Sequence, residues 1–173
     1  IRGESSRNNR PQYNGKSLYV AQYNRNKRAL SVEPRSPQGK EILRKLAGWA
    51  DVLVENFRPG MLEKMGLDRE TLAAANPDLV VVSVSGYGAD SPMRDRVLFD
   101  CTAQAASGMM WLNAADGGAG RLTKFAPGDT LTGVYAAVGA MAGLMNRGKE
   151  PGPHYVDLSL YDVLFSSLGT GVA

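Results

Sequence analysis

One carboxylate stands where its residue type and position suit covalent chemistry. Asp129 follows Pro127-Gly128 at the start of a long apolar stretch. A carboxylate at the positive end of a helix stays ionised and positioned, and carboxylates form covalent intermediates in group transfer. Free amides at the same helix end would stabilise a developing oxyanion. A structural N-cap that accepts from the amides of Leu131 or Thr132 explains the same position, so local spacing leaves both interpretations open.

Two loops are candidates for ligand contact because each follows a predicted buried strand. Residues 51–55 (DVLVE) are followed by Asn56-Phe57-Arg58-Pro59-Gly60, and residues 79–83 (LVVVS) are followed closely by Ser85-Gly86-Tyr87-Gly88. Ligands of open parallel sheets bind beyond the carboxyl ends of the strands, and glycine lets a backbone approach a ligand closely. Turns that simply end a strand, with a solvated arginine, account for the same pattern.

Several other kinds of site have little support. The chain has one cysteine, Cys101, and one histidine, His154, which excludes an intrachain disulfide framework and a His-pair metal site. No GxGxxG follows a strand and no Walker A sequence occurs. The Gly-rich segment at 117–121 could cradle a phosphate, but it has the composition of an ordinary turn. We therefore expect no metal.

The composition is that of an ordinary globular protein, with 43% apolar and 21% charged residues in a chain of 173. The net charge of +3 is unevenly distributed, since residues 1–45 carry 11 Lys and Arg against 3 Asp and Glu. This basic region indicates either an anionic partner or a solvated face. No nucleic-acid motif accompanies it, and the apolar stretch around Gly139-x-x-x-Gly143 is short for a bilayer. We expect neither nucleic acid nor membrane as a partner, and a cytoplasmic location.

The pattern of elements predicts an α/β fold with a mostly parallel sheet, because strands and helices alternate with short connections. The first 15 residues are predicted to form a loop. Strands are predicted at 17–23, 29–33, 51–55, 79–83 and 155–158. Helices are predicted from Ser36-Pro37 to Trp49, at 61–65, from Asp68 to Ala75, at 99–112, from Pro127 to Asn146 and from Tyr161.

Taken together, these segments resemble the family III CoA-transferases over about residues 17 to 168. The resemblance rests on NRNKR (24–28), SPQG (36–39), ADVLVENFRPG (50–60), MGL (65–67), NP (76–77), SVSGYG (83–88), AQAASG (103–108), and Gly128-Asp129 with Gly133. It implies a Rossmann-like parallel sheet flanked by helices, as part of a larger fold. Residues 1–16 would be a loop or disordered, 17–147 a partial CoA-binding domain lacking its first strand–helix unit, and 148–173 the start of a connection to a second domain.

The same resemblance implies a reaction and its substrates. Asp129 matches the catalytic aspartate, which attacks an acyl-CoA thioester to form an aspartyl–acyl anhydride and then an aspartyl-CoA thioester. A small carboxylic acid then takes the CoA in the mirror sequence, without a metal. Coenzyme A would contact residues at the adenine and ribose phosphate (Val32, Arg35), the nucleotide and pantetheine (Asn56, Phe57, Arg58), the phosphates (Lys64) and the thiol end (Val97, Leu98, Phe99, Asp100).

Some positions depart from the family pattern. A basic residue can stand at the position of Val97, and valine cannot make its contact. Phe99 stands where a racemase branch carries a catalytic histidine, which disfavours proton transfer chemistry. The chain is about half a family member's length, so we expect a central fragment that is inactive alone and an interlocked homodimer when full length. A truncated, non-catalytic CoA-binding relative is the alternative.

Overall fold

The computed structural model describes residues 4–115, 117–149 and 151–172, and its first elements are short. A 3-10 turn (Ser5–Asn8) precedes strands β1 (Gln12–Tyr13) and β2 (Lys16–Ser17). The two strands pair antiparallel around Asn14 and Gly15, which both have positive φ, as two-residue hairpin turns require. Part of the segment predicted as loop or disorder therefore forms a hairpin, while residues 1–3 lie outside the described residues.

The prediction of a strand over 17–23 is wrong. Helix α1 (Leu18–Tyr23) begins there because the Ser17 hydroxyl accepts a hydrogen bond from the Val20 amide at 3.4 Å, which caps the helix. The strand predicted at 29–33 is also wrong, since no described residue pairs with that segment. In both places the β-type composition was a weak signal that no neighbouring strand supported.

The next elements follow the predicted caps. Helix α2 (Pro37–Trp49) begins after Ser36, whose hydroxyl accepts from the Gly39 amide at 2.9 Å. Strand β3 (Val52–Glu55) and helix α3 (Met61–Lys64) follow. Helix α4 (Arg69–Ala75) is capped by Asp68, which accepts from the Thr71 amide at 2.8 Å. These boundaries confirm the predictions from local capping signals.

The second half contains the longest helix. Strand β4 (Val80–Ser85) leads through a polar loop to α5 (Asp100–Ala106) and α6 (Met109–Leu112), two helices where one was predicted. Gly108 separates them with φ of +89°. Helix α7 (Pro127–Asn146), strand β5 (His154–Ser159), helix α8 (Leu160–Ser167) and a 3-10 turn (Gly169–Val172) complete the described chain.

The central sheet has three parallel strands in the order β3, β4, β5. Val80 pairs with Val52 on one side and with His154 on the other. Val80, Val81 and Val82 are all at most 1% exposed, because helices cover both faces of the middle strand. The predicted α/β fold, with a parallel sheet between helices, is therefore confirmed.

Helices α2 and α4 pack on one face of the sheet, and α7 packs on the other. Helix α7 comes close because of its glycines. A Cβ on Gly143 would lie 2.5 Å from Val80 Cγ1, and one on Gly139 would lie 2.7 Å from Val156 Cγ1. The Gly-x-x-x-Gly spacing therefore serves close helix–sheet packing. Of the helices in the described parts of the chain, none has the length and apolarity needed to cross a membrane.

The carboxyl ends of the three strands lie at one edge of the sheet. Glu55, Ser85 and Ser159 end β3, β4 and β5, and the first two are followed by the loops that were predicted to contact a ligand. Helix α8 follows β5 directly and packs with α5 and α7 around Leu160, Leu164 and Ala103. This third cluster fixes the start of α7 relative to the sheet.

Candidate active site

Asp129 is exposed in the first turn of α7, as its third residue. The interpretation of Asp129 as an N-cap is wrong, because the helix starts at Pro127 and its N-cap is Ala126, which offers no side-chain acceptor. Among the described residues, none donates a hydrogen bond to the Asp129 carboxylate. The carboxylate is therefore free to meet a substrate.

The cap comes instead from Asp100, which lies 29 residues earlier at the start of α5. Its Oδ1 accepts hydrogen bonds from the Gly128 amide at 2.7 Å and from the Asp129 amide at 3.3 Å. Its Oδ2 accepts from Gln104 Nε2 at 2.7 Å. Because both oxygens are occupied by protein donors, the Asp100 side chain is a structural anion in this site.

Gln104 holds Asp100 in place from the interior. It is 1% exposed, and its Oε1 accepts from the Thr123 amide at 3.0 Å. The Thr123 hydroxyl lies 3.2 Å from the same Oε1 and 2.7 Å from the Phe125 carbonyl oxygen. A buried amide with both ends satisfied has little freedom to rotate. The network therefore ties α5 to the segment that leads into α7.

The Gly-Asp pair has a steric explanation. A Cβ on Gly128 would lie 2.9 Å from Asp100 Oδ1 and 3.1 Å from Leu164 Cδ1. A larger residue would push the Asp100 carboxylate off the amides of α7 or displace α8. Glycine is thus needed before Asp129 so that the cap can approach the helix end.

The surroundings of Asp129 alter its acidity. Desolvation by the atoms around the carboxyl group raises the pKa of Asp129 above its usual range, and the negative charge of Asp100 raises that pKa further. A more basic carboxylate is a better nucleophile as long as it remains ionised at the working pH. The site therefore supports nucleophilic chemistry at Asp129.

The expected oxyanion role of free amides at this helix end is not supported. The Gly128 and Asp129 amides donate to Asp100, and the Thr130 amide donates to the Ala126 carbonyl at 3.1 Å. Pro127 has no amide hydrogen. The first turn of α7 thus has no donor left for a substrate oxygen in the described structure.

A cavity of about 140 Å³ lies at the carboxyl edge of the sheet, between the loops after β3 and β4. It includes Phe57 and Arg58 from the predicted set, but not Asn56 or Lys64. Its charged lining residues are Arg58, Arg69, Arg94, Glu55, Glu63 and Asp157. The sequence therefore predicted the location of the cavity but missed two of its three arginines.

Protein donors already engage two of the cavity carboxylates. Glu55 Oε2 accepts from the Phe57 amide at 2.7 Å, and Asp157 Oδ2 accepts from the Ala89 amide at 2.8 Å. The Arg69 guanidinium lies 4.3 Å from the centre of the Tyr155 ring. Within the described residues, no ion pair of 4.0 Å or less involves the cavity arginines. The cavity thus contains three guanidinium groups that can bind phosphate, beside three carboxylates.

The other predicted CoA residues are not part of this cavity lining. Val32 is half-buried and Arg35 is exposed in the segment before α2. Val97 and Phe99 are exposed in the loop before α5. Lys64 is also exposed, at the end of α3, and Asn56 is exposed in the loop after β3.

Leu98 has a packing role that the sequence did not indicate. It is half-buried against the third core cluster, and a Cβ on Gly86 would lie 2.7 Å from Leu98 Cβ. The absence of a side chain on Gly86 therefore leaves room for Leu98. The sequence had instead predicted that this glycine would let a ligand approach the backbone. The contact joins the loop after β4 to the start of α5, which carries Asp100.

Comparisons with known proteins concern the family and the fold of this chain. The model of CoA-transferase family III matches residues 1–172. The beta subunit of a succinyl-CoA–L-malate CoA-transferase from Chloroflexus aurantiacus is 36% identical over 160 residues, which is 90% of this chain and 38% of that protein. A human succinyl-CoA:glutarate CoA-transferase is 35% identical over 159 residues, 91% of this chain and 36% of its own length.

A solved structure matches the fold as well. The crystal structure of a CAIB/BAIF family protein from Brucella suis has a TM-score of 0.89 to this chain at 30% identity, and the match covers 96% of this chain and 46% of the other. The chain thus spans less than half the length of the relatives described here. The sequence match, the shared fold and the resemblance in its motifs lead to one conclusion: this chain belongs to CoA-transferase family III.

Proposed function

We propose that the protein containing this chain transfers CoA between an acyl-CoA thioester and a small carboxylic acid, with Asp129 as the nucleophile. The observation that carries the proposal is the state of Asp129. Its carboxylate is exposed, accepts no hydrogen bond from the described residues and has a raised pKa. These are properties of a group used in chemistry, since a structural carboxylate at a helix end would bind the helix amides.

The proposed reaction consists of four acyl-transfer steps. The Asp129 carboxylate attacks the thioester carbonyl of the donor and expels CoA thiolate, which leaves a mixed anhydride. The thiolate attacks the aspartyl carbonyl, releases the donor acid as its carboxylate and leaves an Asp129–CoA thioester. The acceptor carboxylate attacks that thioester and expels the thiolate again. The thiolate then attacks the acceptor carbonyl of the second anhydride, which forms the new acyl-CoA and regenerates Asp129.

We place the CoA moiety along the carboxyl edge of the sheet. The support is the cavity lined by Phe57 and Arg58, together with Arg94 and Arg69. Guanidinium groups bind phosphate oxygens through two parallel hydrogen bonds, which suits the three phosphate groups of CoA. The remaining predicted residues stay proposed contacts on the strength of the family match: Val32, Arg35, Asn56, Lys64, Val97, Leu98, Phe99 and Asp100.

Two alternatives predict different results. An acyl-CoA racemase would need a proton-transfer partner for Asp129, and Phe99 offers none at the expected position. A non-catalytic CoA-binding protein would bind CoA without forming a covalent adduct. Both alternatives predict that no aspartyl ester, anhydride or thioester forms.

The test uses the intact protein, a panel of acyl-CoA donors and hydroxylamine as a trap. Peptide mass spectrometry should find a hydroxamate at Asp129, and Asp129→Asn should abolish both the adduct and CoA transfer while CoA still binds. Asp162→Asn is the matched control, because Asp162 is the third residue of α8 and is exposed. Turnover retained by Asp129→Asn would exclude this function, and so would CoA binding without any adduct.

We also propose that the full-length protein is a homodimer of interlocked chains. The support is the apolar surface that α7 leaves uncovered in this chain, which includes Val134, Val138, Met141 and Met145. Light scattering of the purified full-length protein should give twice the mass of one chain. A monomeric mass would contradict the dimer without affecting the role of Asp129.

A further inference from the structure

Every amide hydrogen in the first turn of α7 has an acceptor, and none of these acceptors is the Asp129 carboxylate. A helix leaves its first N–H groups without partners inside the helix. Here Pro127 has no amide hydrogen, and the Gly128 and Asp129 amides donate to Asp100 Oδ1 at 2.7 and 3.3 Å. The intrahelical ladder begins with Thr130.

This allocation has a chemical consequence for Asp129. A carboxylate in the first turn of a helix ordinarily gains from the positive helix end and from free amides, which lowers its basicity. Asp100 takes that place and presents a fixed negative charge instead. The Asp129 carboxylate is thereby left outside the hydrogen-bond network, exposed and without the partners that would make it a weaker nucleophile.

We propose that Asp100 is a positioning residue for the Asp129 nucleophile: it occupies the amides of the α7 N-terminus and places its negative charge beside Asp129, so that the Asp129 carboxylate has neither a hydrogen bond to its own helix nor the full stabilisation of the positive helix end. The inference rests on the proposed role of Asp129 and gives Asp100 a role beyond its proposed contact with CoA. Gln104 supports this arrangement, because its Nε2 donates a hydrogen bond to the second oxygen of Asp100 at 2.7 Å and so fixes the orientation of the carboxylate.

Other charged groups on the described neighbouring elements do not raise the pKa of Asp129. Helix α8 carries Asp162 in its first turn, and the segment before α7 carries Lys124. Of the charged groups in the described chain, Asp100 alone contributes to the raised pKa of Asp129, in addition to desolvation. The charge of Asp100 is therefore the one to relocate in a test.

Asp100→Asn alone is a poor test, because its new amide group would face the Gln104 Nε2 donor. The double variant Asp100→Asn with Gln104→Glu restores the pattern. The carbonyl oxygen of the new asparagine would still accept from the Gly128 amide, and its amide group would donate to the new glutamate. That glutamate would in turn still accept from Thr123. The swap keeps the hydrogen bonds and removes the negative charge from the position of Asp100.

The experiment compares the full-length wild-type protein, the swap and Asp162→Asn. The first readout is the pH dependence of Asp129 labelling by a carbodiimide and an amine, measured by peptide mass spectrometry. Since carbodiimides react with the protonated carboxyl, the labelling midpoint of the swap should move to lower pH. The second readout is acyl-enzyme formation, which should slow severalfold in the swap at unchanged KM for acyl-CoA, because a less basic carboxylate is a weaker nucleophile. Asp162→Asn should match wild type in both.

The outcomes separate the two proposals. A swap that labels and reacts like wild type, with an unchanged thermal midpoint, would overturn the proposal, because the swap removes only the charge of Asp100 and leaves the α7 amides occupied. If wild type forms no acyl-enzyme, the proposed function fails, and the labelling midpoint alone decides the inference about Asp100. A midpoint that shifts as far in Asp162→Asn as in the swap would also overturn it, because the effect would then follow net charge alone.

Discussion

Asp100 Oδ1 accepts a hydrogen bond at 3.3 Å from the backbone amide of Asp129. Two acidic residues are therefore in contact at the start of α7. The first carboxylate is bound on both oxygens, while the second carboxylate accepts no hydrogen bond from the described chain. Two groups of the same type therefore have different tasks because of their surroundings. This division supports the assignment of Asp100 to structure and of Asp129 to chemistry.

Removing the charge of Asp129 should increase the stability of the intact protein. A raised pKa means that the folded state disfavours the ionised form, so the stability linked to this group is present at acid pH and is lost as the pH rises through the folded pKa. Asp129→Asn should therefore raise the free energy of unfolding at pH 7, by less than about 1 kcal/mol because the side chain is exposed.

The gain should shrink as the pH falls towards the ordinary pKa of aspartate. Thermal unfolding of both proteins between pH 7 and pH 4 measures it, with Asp162→Asn as control for net charge. A variant that is less stable than wild type at pH 7 would contradict the sign.

Gly128→Ala should destabilise the protein by about 1–3 kcal/mol, because the new methyl group would meet Asp100 Oδ1 at 2.9 Å and Leu164 Cδ1 at 3.1 Å. It should also lower CoA transfer, since the cap of α7 moves. Denaturant unfolding measures the first effect. Gly133→Ala is the matched control in the same helix, where a Cβ meets nothing within 4 Å and helix propensity favours alanine. If Gly128→Ala and Gly133→Ala are equally stable, the structure accommodates the methyl group at position 128 at little cost in free energy.

Gly143→Ala should destabilise the protein by about 1–3 kcal/mol, since its Cβ would lie 2.5 Å from Val80 Cγ1 between α7 and the sheet. Val80→Ala removes that methyl group and should cost stability by itself because Val80 is fully buried. The double variant should be more stable than the sum of the single effects predicts. Additive effects in a double-mutant cycle by chemical denaturation would show that the two residues do not compete for space.

Arg94→Ala should weaken CoA binding roughly tenfold, because a guanidinium–phosphate hydrogen bond is charge-assisted. Arg94 lines the cavity at the carboxyl edge of the sheet. Isothermal titration of the full-length protein with CoA measures the change, and dephospho-CoA shows whether the lost contact is with the 3′-phosphate. Arg44→Ala serves as control, since Arg44 pairs with Glu41 on α2. Unchanged CoA affinity in Arg94→Ala would place the phosphates elsewhere.

Much of the fold could be predicted from the sequence because its signals are local. The apolar run at 79–83 predicted the middle strand, and Ser36-Pro37 and Asp68 predicted two helix starts that the structure confirms. The family was also predicted correctly from its motifs. The composition of 17–23 predicted a strand, but the Ser17 cap, a contact over three residues, favours a helix instead.

The candidate site depends on contacts between residues that are distant in the sequence, which local patterns do not predict. The sequence by itself determined that a Gly-Asp pair begins a long helix and that Asn56-Phe57-Arg58 follows a strand. Only the tertiary structure decided which carboxylate caps that helix, because Asp100 reaches Gly128 across 28 residues of chain. It likewise brought Arg94 to the cavity that contains Arg58. Spacing along a chain fixes which groups share an element, whereas the pKa of Asp129 depends on the desolvation of its carboxyl group and on the charge of Asp100 from another element.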